Sequence, residues 1–207
     1  MDIWVAVCQE RLGLADRLAG IDETQWNITS LCDRWRIRDV AAHVTAGAQG
    51  AFGIGATLAG LIAHGFNFNR WIAADGRRRG DEDPVRILDD LRGAAANRKS
   101  PPGAPTIAVL TDVMIHGQDI GRPLGLQRDF PEERWLPVCD FVRSTFVFGA
   151  KTRTAGLTLR ATDMEWSHGS GPEVTGSAEA LVMVMAGRGA VLADLAGEGV
   201  ATLTARF

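Results

Sequence analysis

Between residue 2 and about residue 150 the apolar residues of this chain recur at helical spacing, and strand-like alternation is almost absent. That pattern commits most of the chain to helices that bury one face each. Residues 2–19 place Ile3, Val7, Leu12, Leu14 and Leu18 one or two turns apart, with Glu10, Arg11, Asp16 and Arg17 between them. A second helix begins near Ile37 and carries Val40, His43 and Val44. Its continuation from Gly47 to Gly60 holds five glycines, so it either packs very closely on a neighbour or breaks.

The segment DPVRILDDLRGAAANR, from residue 83, pairs an Asp cap with Pro at an early helical position and sets Val85, Leu88 and Leu91 on one face. Further helices are predicted from about Ile107 to Ile120 and after Pro131, whereas residues 62–82, including GRRRG, read as loop. Four or five such helices make a helical bundle. After GAKTRTAG (149–156) the texture changes to short alternating runs between glycines, followed by the helical SAEALVMVMAGR and a closing GVATLTARF that reads as a strand. The expected organisation is α+β: a helical domain over 1–150 and a small C-terminal domain over 151–207 with about two helices and three or four strands.

A 207-residue chain that is 46% hydrophobic can bury a sizeable core. Its net charge of -3 and dispersed basic residues lack the electrostatic footprint of a nucleic-acid binder. No apolar run suits a membrane span, and the charged N-terminus does not suit a signal peptide. Cys8, Cys32 and Cys139 are odd in number and show no metal-knuckle spacing, which fits a reducing cytoplasm and argues against a disulfide framework. Each thiol reads as a core or loop residue rather than a nucleophile.

The chemistry concentrates in TDVMIHGQDI, where Asp112, His116 and Asp119 follow one another at four and three residues and share a helix face. Val113, Met114, Ile115 and Ile120 mark that helix as interior, where unpaired ionisable groups are costly. His43 sits on a second apolar helix. A bundle can join facing side chains into a metal site, and His43, Asp112 and His116 would supply three ligands and leave an open position. The competing reading is of separate core histidines with ordinary hydrogen bonds. Asp39 and His43 repeat the four-residue spacing, but Asp39 is better placed to stabilise a helix N-terminus. His64 and His168, the latter in a predicted turn, have no partner at ligand spacing.

WNITSLCDRWRIRDVAAHV (26–44) resembles the N-terminal signature of the mycothiol-dependent maleylpyruvate isomerase family, in the DinB-like metalloenzyme superfamily. DVMIHGQDIGRPLG (112–125) and GPEVTGSAEALVMVMAGR (171–188) extend the resemblance, in order, over nearly the whole chain. It implies a DinB-like four-helix bundle with a small C-terminal α/β domain of sterol-carrier type. It also implies a divalent metal, zinc, held by His43, Asp112 and His116, and mycothiol as thiol cofactor. Asp119 would orient His116 or shuttle a proton, and Arg188 would clamp a carboxylate or stabilise a developing enolate. The implied activity is a cis–trans isomerase or thiol S-transferase acting on an electrophilic small molecule. A non-catalytic binding module and a thiol-independent metal hydrolase are the alternatives. Two departures stand out: Asp112 replaces the family's Glu, one methylene longer, and Arg36 occupies a position where a capping Thr or Ser is common. The second change is expected to leave Asp39 without its capping-box partner.

Overall fold

The computed structural model describes residues 1–32, 34–126 and 131–207. Asp33, within the first motif, lies outside them. The chain forms two compact units, one ending and the other beginning close to residue 130.

The first unit contains α1 (Ile3–Leu18), the single-turn α2 (Glu23–Trp26), α3 (Ile37–Gln49), α4 (Ile54–Ala63), α5 (Phe68–Gly80), α6 (Pro84–Ala94) and α7 (Thr106–Gly121). Helices α1 and α3 each pack against both α6 and α7, which closes a four-helix bundle around Leu14, Leu18, Val40, Leu91, Leu110 and Met114. Asp2 starts α1 by accepting hydrogen bonds from the Trp4 and Val5 amides at 2.8 and 3.4 Å. The inward face of α1 differs from the simple apolar stripe. Leu12 is exposed, whereas Arg11 is buried and donates from Nη1 to the carbonyls of Ala95 and Asn97 at 3.2 and 2.9 Å, just beyond α6. A charged residue therefore satisfies carbonyls that the end of α6 leaves over. On α6 the Asp83 cap and Pro84 start hold, but Ile87 takes the buried place and Val85 faces solvent.

The glycine-rich stretch resolves into a break. Helix α3 ends at Gln49, Gly50 adopts the left-handed conformation that terminates it, and α4 starts afresh. Residues 68–80 form α5, correcting the loop expected over 62–82. The two glycines of GRRRG explain the difference. They lie four apart on the α5 face that meets α3, where a Cβ on Gly76 would come within 2.5 Å of the Trp35 ring and one on Gly80 within 2.0 Å of Asp39 Oδ1. They serve close approach, and the arginines between them belong to a helix end: Arg78 and Arg79 both pair with Asp75 at 2.7 Å.

The second unit contains α8 (Glu132–Ser144), α9 (Ala150–Arg153), β1 (Thr158–Ala161), β2 (Ser167–Gly169), β3 (Glu173–Gly176), α10 (Ala178–Met185), a 3-10 turn over Gly189–Asp194 and α11 (Val200–Thr204). The sheet order is β2-β1-β3, with β1 antiparallel to β2 and parallel to β3, and Leu159 lies opposite both His168 and Val174. His168 is thus a strand residue and not part of a turn. Leu159, Ala161 and Val174 are buried on the side covered by α10, which Ser177 caps. Helix α8 belongs with this unit rather than with the bundle, so the division falls earlier than the expected residue 150. Its buried Val138, Cys139 and Val142 give it an apolar face, it packs on α10, and Asp140 accepts a hydrogen bond from Trp166 Nε1 at 3.1 Å. The closing segment is helical, correcting the predicted strand. The edge of β3 that a strand would have used is already occupied by Ala196 and by the Gly199 amide, which bonds to Glu173 at 2.8 Å.

The whole is a mixed, mainly helical α+β chain. Among the described residues no helix is long and apolar enough to cross a membrane.

Candidate metal centre

The start of α3 is held by Arg36 and Asp39. The Asp39 carboxylate accepts from the Arg36 amide at 2.9 Å and from its guanidinium at 3.0 and 2.8 Å, while the same guanidinium reaches Asp81 at 2.8 Å. Asp39 therefore does have a capping partner. Arg36 keeps the half of the box made by its own amide and replaces the missing hydroxyl with a two-pronged ion pair. Arg38 donates to the carbonyls of Gly80 and Glu82, which ties α3 to the end of α5. Asp39 is thereby engaged as a cap and ion-pair partner.

One turn beyond Asp39, His43 points into the bundle toward α7. Its Nε2 lies 3.8 Å from Asp112 Oδ1, and His116 Nε2 lies 3.5 Å from the same oxygen. One ligand atom from each of the three residues falls within 4.8 Å of the others. The two imidazoles meet edge to face with centroids 5.1 Å apart. Trp35 and Phe52 stack beside His43 at 5.1 and 5.2 Å and make the wall of the site apolar. Asp112 is the open member: its side chain is 45% exposed, against 11% and 12% for His43 and His116, so access from solvent runs past this carboxylate.

Burial pushes the Asp112 carboxyl up, but His116 and His43 beside it and the Arg11 guanidinium outweigh that and hold it at about 2. It is an anion at neutral pH. Arg11 shows the reverse balance: burial pulls its pKa down and Asp112 partly restores it. On the far side of His116, Nδ1 lies 2.9 Å from Oδ2 of the fully buried Asp119. An N–H on Nδ1 donates to that carboxylate and leaves the Nε2 lone pair facing Asp112 and His43. His43 has no such support on its far side among the described residues, since its buried Nδ1 has no hydrogen-bond partner.

The separations around Asp112 are informative. At 3.5 and 3.8 Å they exceed a good hydrogen bond. They approach the spacing of about 3.3 Å between nitrogen or oxygen ligands sharing one tetrahedral zinc ion. Two imidazoles and one carboxylate, with an exposed side, form a donor set that fits a catalytic rather than a structural ion.

His64 and His168 stand apart from the site. His64 Nδ1 contacts the Gly60 carbonyl at 2.9 Å, and His168 Nε2 lies 3.2 Å from Arg143 in the second unit. Cys139 is buried there, and burial, then the charges of Asp140 and Asp163, push its thiol up to about 12. Arg188 follows α10, where its guanidinium donates to the Ala186 carbonyl at 2.9 Å. Sequence reasoning missed two residues of the first unit. Arg11 was hidden because a charge between apolar positions reads as a solvated helix face. Cys32 comes within 4.8 Å of His116 and Asp119, although no sequence spacing links a loop cysteine to a helix 80 residues on.

The first unit is a four-helix bundle with a histidine–carboxylate cluster in its interior, and the second is a small α+β unit. Residues 8–121 match the family described as the mycothiol maleylpyruvate isomerase N-terminal domain, and the chain belongs to that family. It also shares its fold with two solved structures. A mycothiol-dependent maleylpyruvate isomerase aligns over 95% of this chain and 92% of its own, with a TM-score of 0.61 and 16% identity. A histidine-to-alanine mutant of a mycothiol-dependent maleylpyruvate isomerase aligns over the same shares, with a TM-score of 0.62 and 15% identity. No curated protein matches the chain.

Proposed function

We propose that this chain is a metal-dependent enzyme that uses mycothiol to act on an electrophilic small molecule, as a maleylpyruvate isomerase-like cis–trans isomerase or a thiol S-transferase. The observation that carries this reading is the convergence of His43, Asp112 and His116, with the His116 tautomer set by Asp119. Family membership supplies the thiol.

In this reading His43 Nε2, His116 Nε2 and one Asp112 oxygen hold a divalent ion, zinc by the character of the donors. When bound, such an ion lowers the pKa of a coordinated thiol, so that the nucleophile exists near neutral pH. Trp35 and Phe52 cover one side of His43 with apolar rings, and the thiol and its substrate would approach past Asp112, the ligand most open to solvent. Asp119 keeps a proton on His116 Nδ1 and thereby keeps Nε2 available. Arg188 is proposed to bind a carboxylate of substrate or cofactor, which a planar fork of donors suits. The chain's own thiols take no part as nucleophiles, and the expected setting is a reducing cytoplasm, where an external thiol persists.

The test is elemental analysis of the purified protein, followed by turnover of maleylpyruvate with and without mycothiol. Stoichiometric metal and strict thiol dependence are expected. Metal with turnover that ignores the thiol would replace this reading with a hydrolase using metal-bound water. Absence of stoichiometric metal and of turnover would leave a binding module.

A further inference from the structure

His116 faces two clusters. Its Nε2 side meets Asp112 and His43. Its Nδ1 side meets Asp119, and Cys32 Sγ, a carboxylate oxygen of Asp119 and a ring nitrogen of His116 all lie within 4.8 Å of one another. The backbone holds Cys32 in this place. The Leu31 amide bonds to the Asp119 carbonyl at 3.0 Å, the Ser30 amide to the Trp35 carbonyl at 2.9 Å, the Cys32 amide to Ser30 Oγ at 3.1 Å and the Trp35 amide to the Cys32 carbonyl at 3.1 Å. The thiol is half-buried and forms no disulfide, while Asp119 is fully buried.

We propose that Cys32, Asp119 and the Nδ1 side of His116 form a second, sulfur-containing metal position, selective for thiophilic divalent ions such as cadmium or excess zinc. A thiolate and a carboxylate together neutralise a divalent charge, which offsets the cost of placing an ion beside a buried aspartate. Thiolate ligation adds the softness that the His43–Asp112–His116 set lacks, so the two positions differ in the metals they favour. On binding, Cys32 gives its proton to solvent, and His116 moves its single ring proton from Nδ1 to Nε2 so that Nδ1 can ligate. The His116–Asp119 hydrogen bond is given up in exchange. A neutral imidazole has one ligating lone pair, so an ion in the second position withdraws His116 from the first. This competition rests on the metal reading of the first site, whereas the existence of the sulfur position does not.

Cobalt and cadmium titrations of the full chain test it, because thiolate-to-metal charge-transfer absorption reports sulfur ligation and is absent from a nitrogen–oxygen site. Low cobalt should give ligand-field bands alone. Excess cobalt or cadmium should bring in the thiolate band and diminish the first-site bands as His116 is withdrawn. Cys32→Ser should lose that band and keep the ligand-field bands, Cys8→Ser and Cys139→Ser should behave as the natural chain, and His43→Ala should lose the first-site bands at low cobalt while keeping the thiolate band at excess. As a check without substitution, cadmium should block alkylation of Cys32 in the natural chain, read by mass spectrometry, and a chelator should restore it. A thiolate band that survives in Cys32→Ser, or folded protein in which cadmium produces no band and leaves Cys32 alkylation unchanged, overturns the proposal. Absence of the ligand-field bands at low cobalt, with a thiolate band at excess metal, overturns the first-site reading instead.

Discussion

His116 Nδ1 lies 2.9 Å from Asp119 Oδ2, and that oxygen belongs to a carboxylate with no solvent exposure. The bond fixes which nitrogen of His116 looks toward Asp112 and His43. Removing it should loosen the first site without removing any ligand. Asp119→Ala is expected to weaken metal binding by about 10- to 100-fold, the usual cost of losing a carboxylate behind a ligating histidine. Asp119→Asn, which keeps an acceptor but not the charge, should fall between the two. Competition against a chelator of known affinity measures both, and unchanged affinity in Asp119→Ala would show that the His116 tautomer does not depend on this bond.

The ligand assignment is tested by contrast between histidines. His43→Ala and His116→Ala should each abolish stoichiometric metal, whereas His64→Ala and His168→Ala, at residues outside the cluster, should not. Asp112→Glu restores the longer side chain of the family and should hold or tighten binding. A severe loss in that variant would mean that the backbone has adapted to the shorter acid.

The alignment of α3 depends on close packing against α5. Gly80→Ala would place a methyl group 2.0 Å from Asp39 Oδ1 and 2.9 Å from its Cα, so the backbone must move. A loss of about 1–3 kcal/mol is expected, the range for overpacking. Gly93→Ala, where a Cβ meets nothing within 4 Å on α6, should instead be neutral or gain up to about 1 kcal/mol of helix propensity. Thermal or denaturant unfolding of the two variants decides, and equal effects would mean that the α3–α5 contact is not tight.

What the sequence made legible follows from where its periodicity is strong. Asp112, His116 and Asp119 stand at one-turn spacing on an apolar helix, so their common face follows directly from 3.6 residues per turn. Helix α5 was not legible, because Gly76 and Gly80 are poor helix formers whose packing value depends on Trp35 and Asp39, some 40 residues earlier. Arg11 was hidden for a related reason. Its buried role depends on carbonyls at Ala95 and Asn97 that have no signature in its own helix. The closing helix α11 was misread because its alternating apolar residues fit a strand, while the partner edge had already been taken by Ala196 and Gly199.

Asp75 gives a pH-dependent prediction. Burial raises its pKa, but hydrogen bonds from Arg78 and Arg79 outweigh that and leave the carboxyl below its ordinary value. A folded pKa below the unfolded one stabilises the fold above the unfolded value, about 3.9, and that contribution is lost as pH falls through the lower folded value. Asp75→Asn should therefore cost about 1 kcal/mol near neutral pH, and the difference from the natural chain should shrink in strong acid. Unfolding curves across that range would count against the ion pair if the gap stayed constant or widened on acidification.

Arg188 has two roles to separate. Its guanidinium donates to the Ala186 carbonyl at 2.9 Å and its amide bonds to the Met183 carbonyl at 2.9 Å, both contributions to ending α10. Its charge also acts on Arg153, whose pKa is lowered first by burial and then by Arg188. Arg188→Lys keeps a cation and a donor for Ala186 but loses the planar fork. If Arg188 binds a carboxylate, the fold and metal content should persist while kcat/KM falls by about two orders of magnitude, or about 2.7 kcal/mol, the scale for one preorganised donor. If it only caps α10, the substitution should lower the melting temperature with activity per folded molecule unchanged. Each readout changes under one outcome and holds under the other, so one kinetic series and one melt decide whether the second unit takes part in the chemistry.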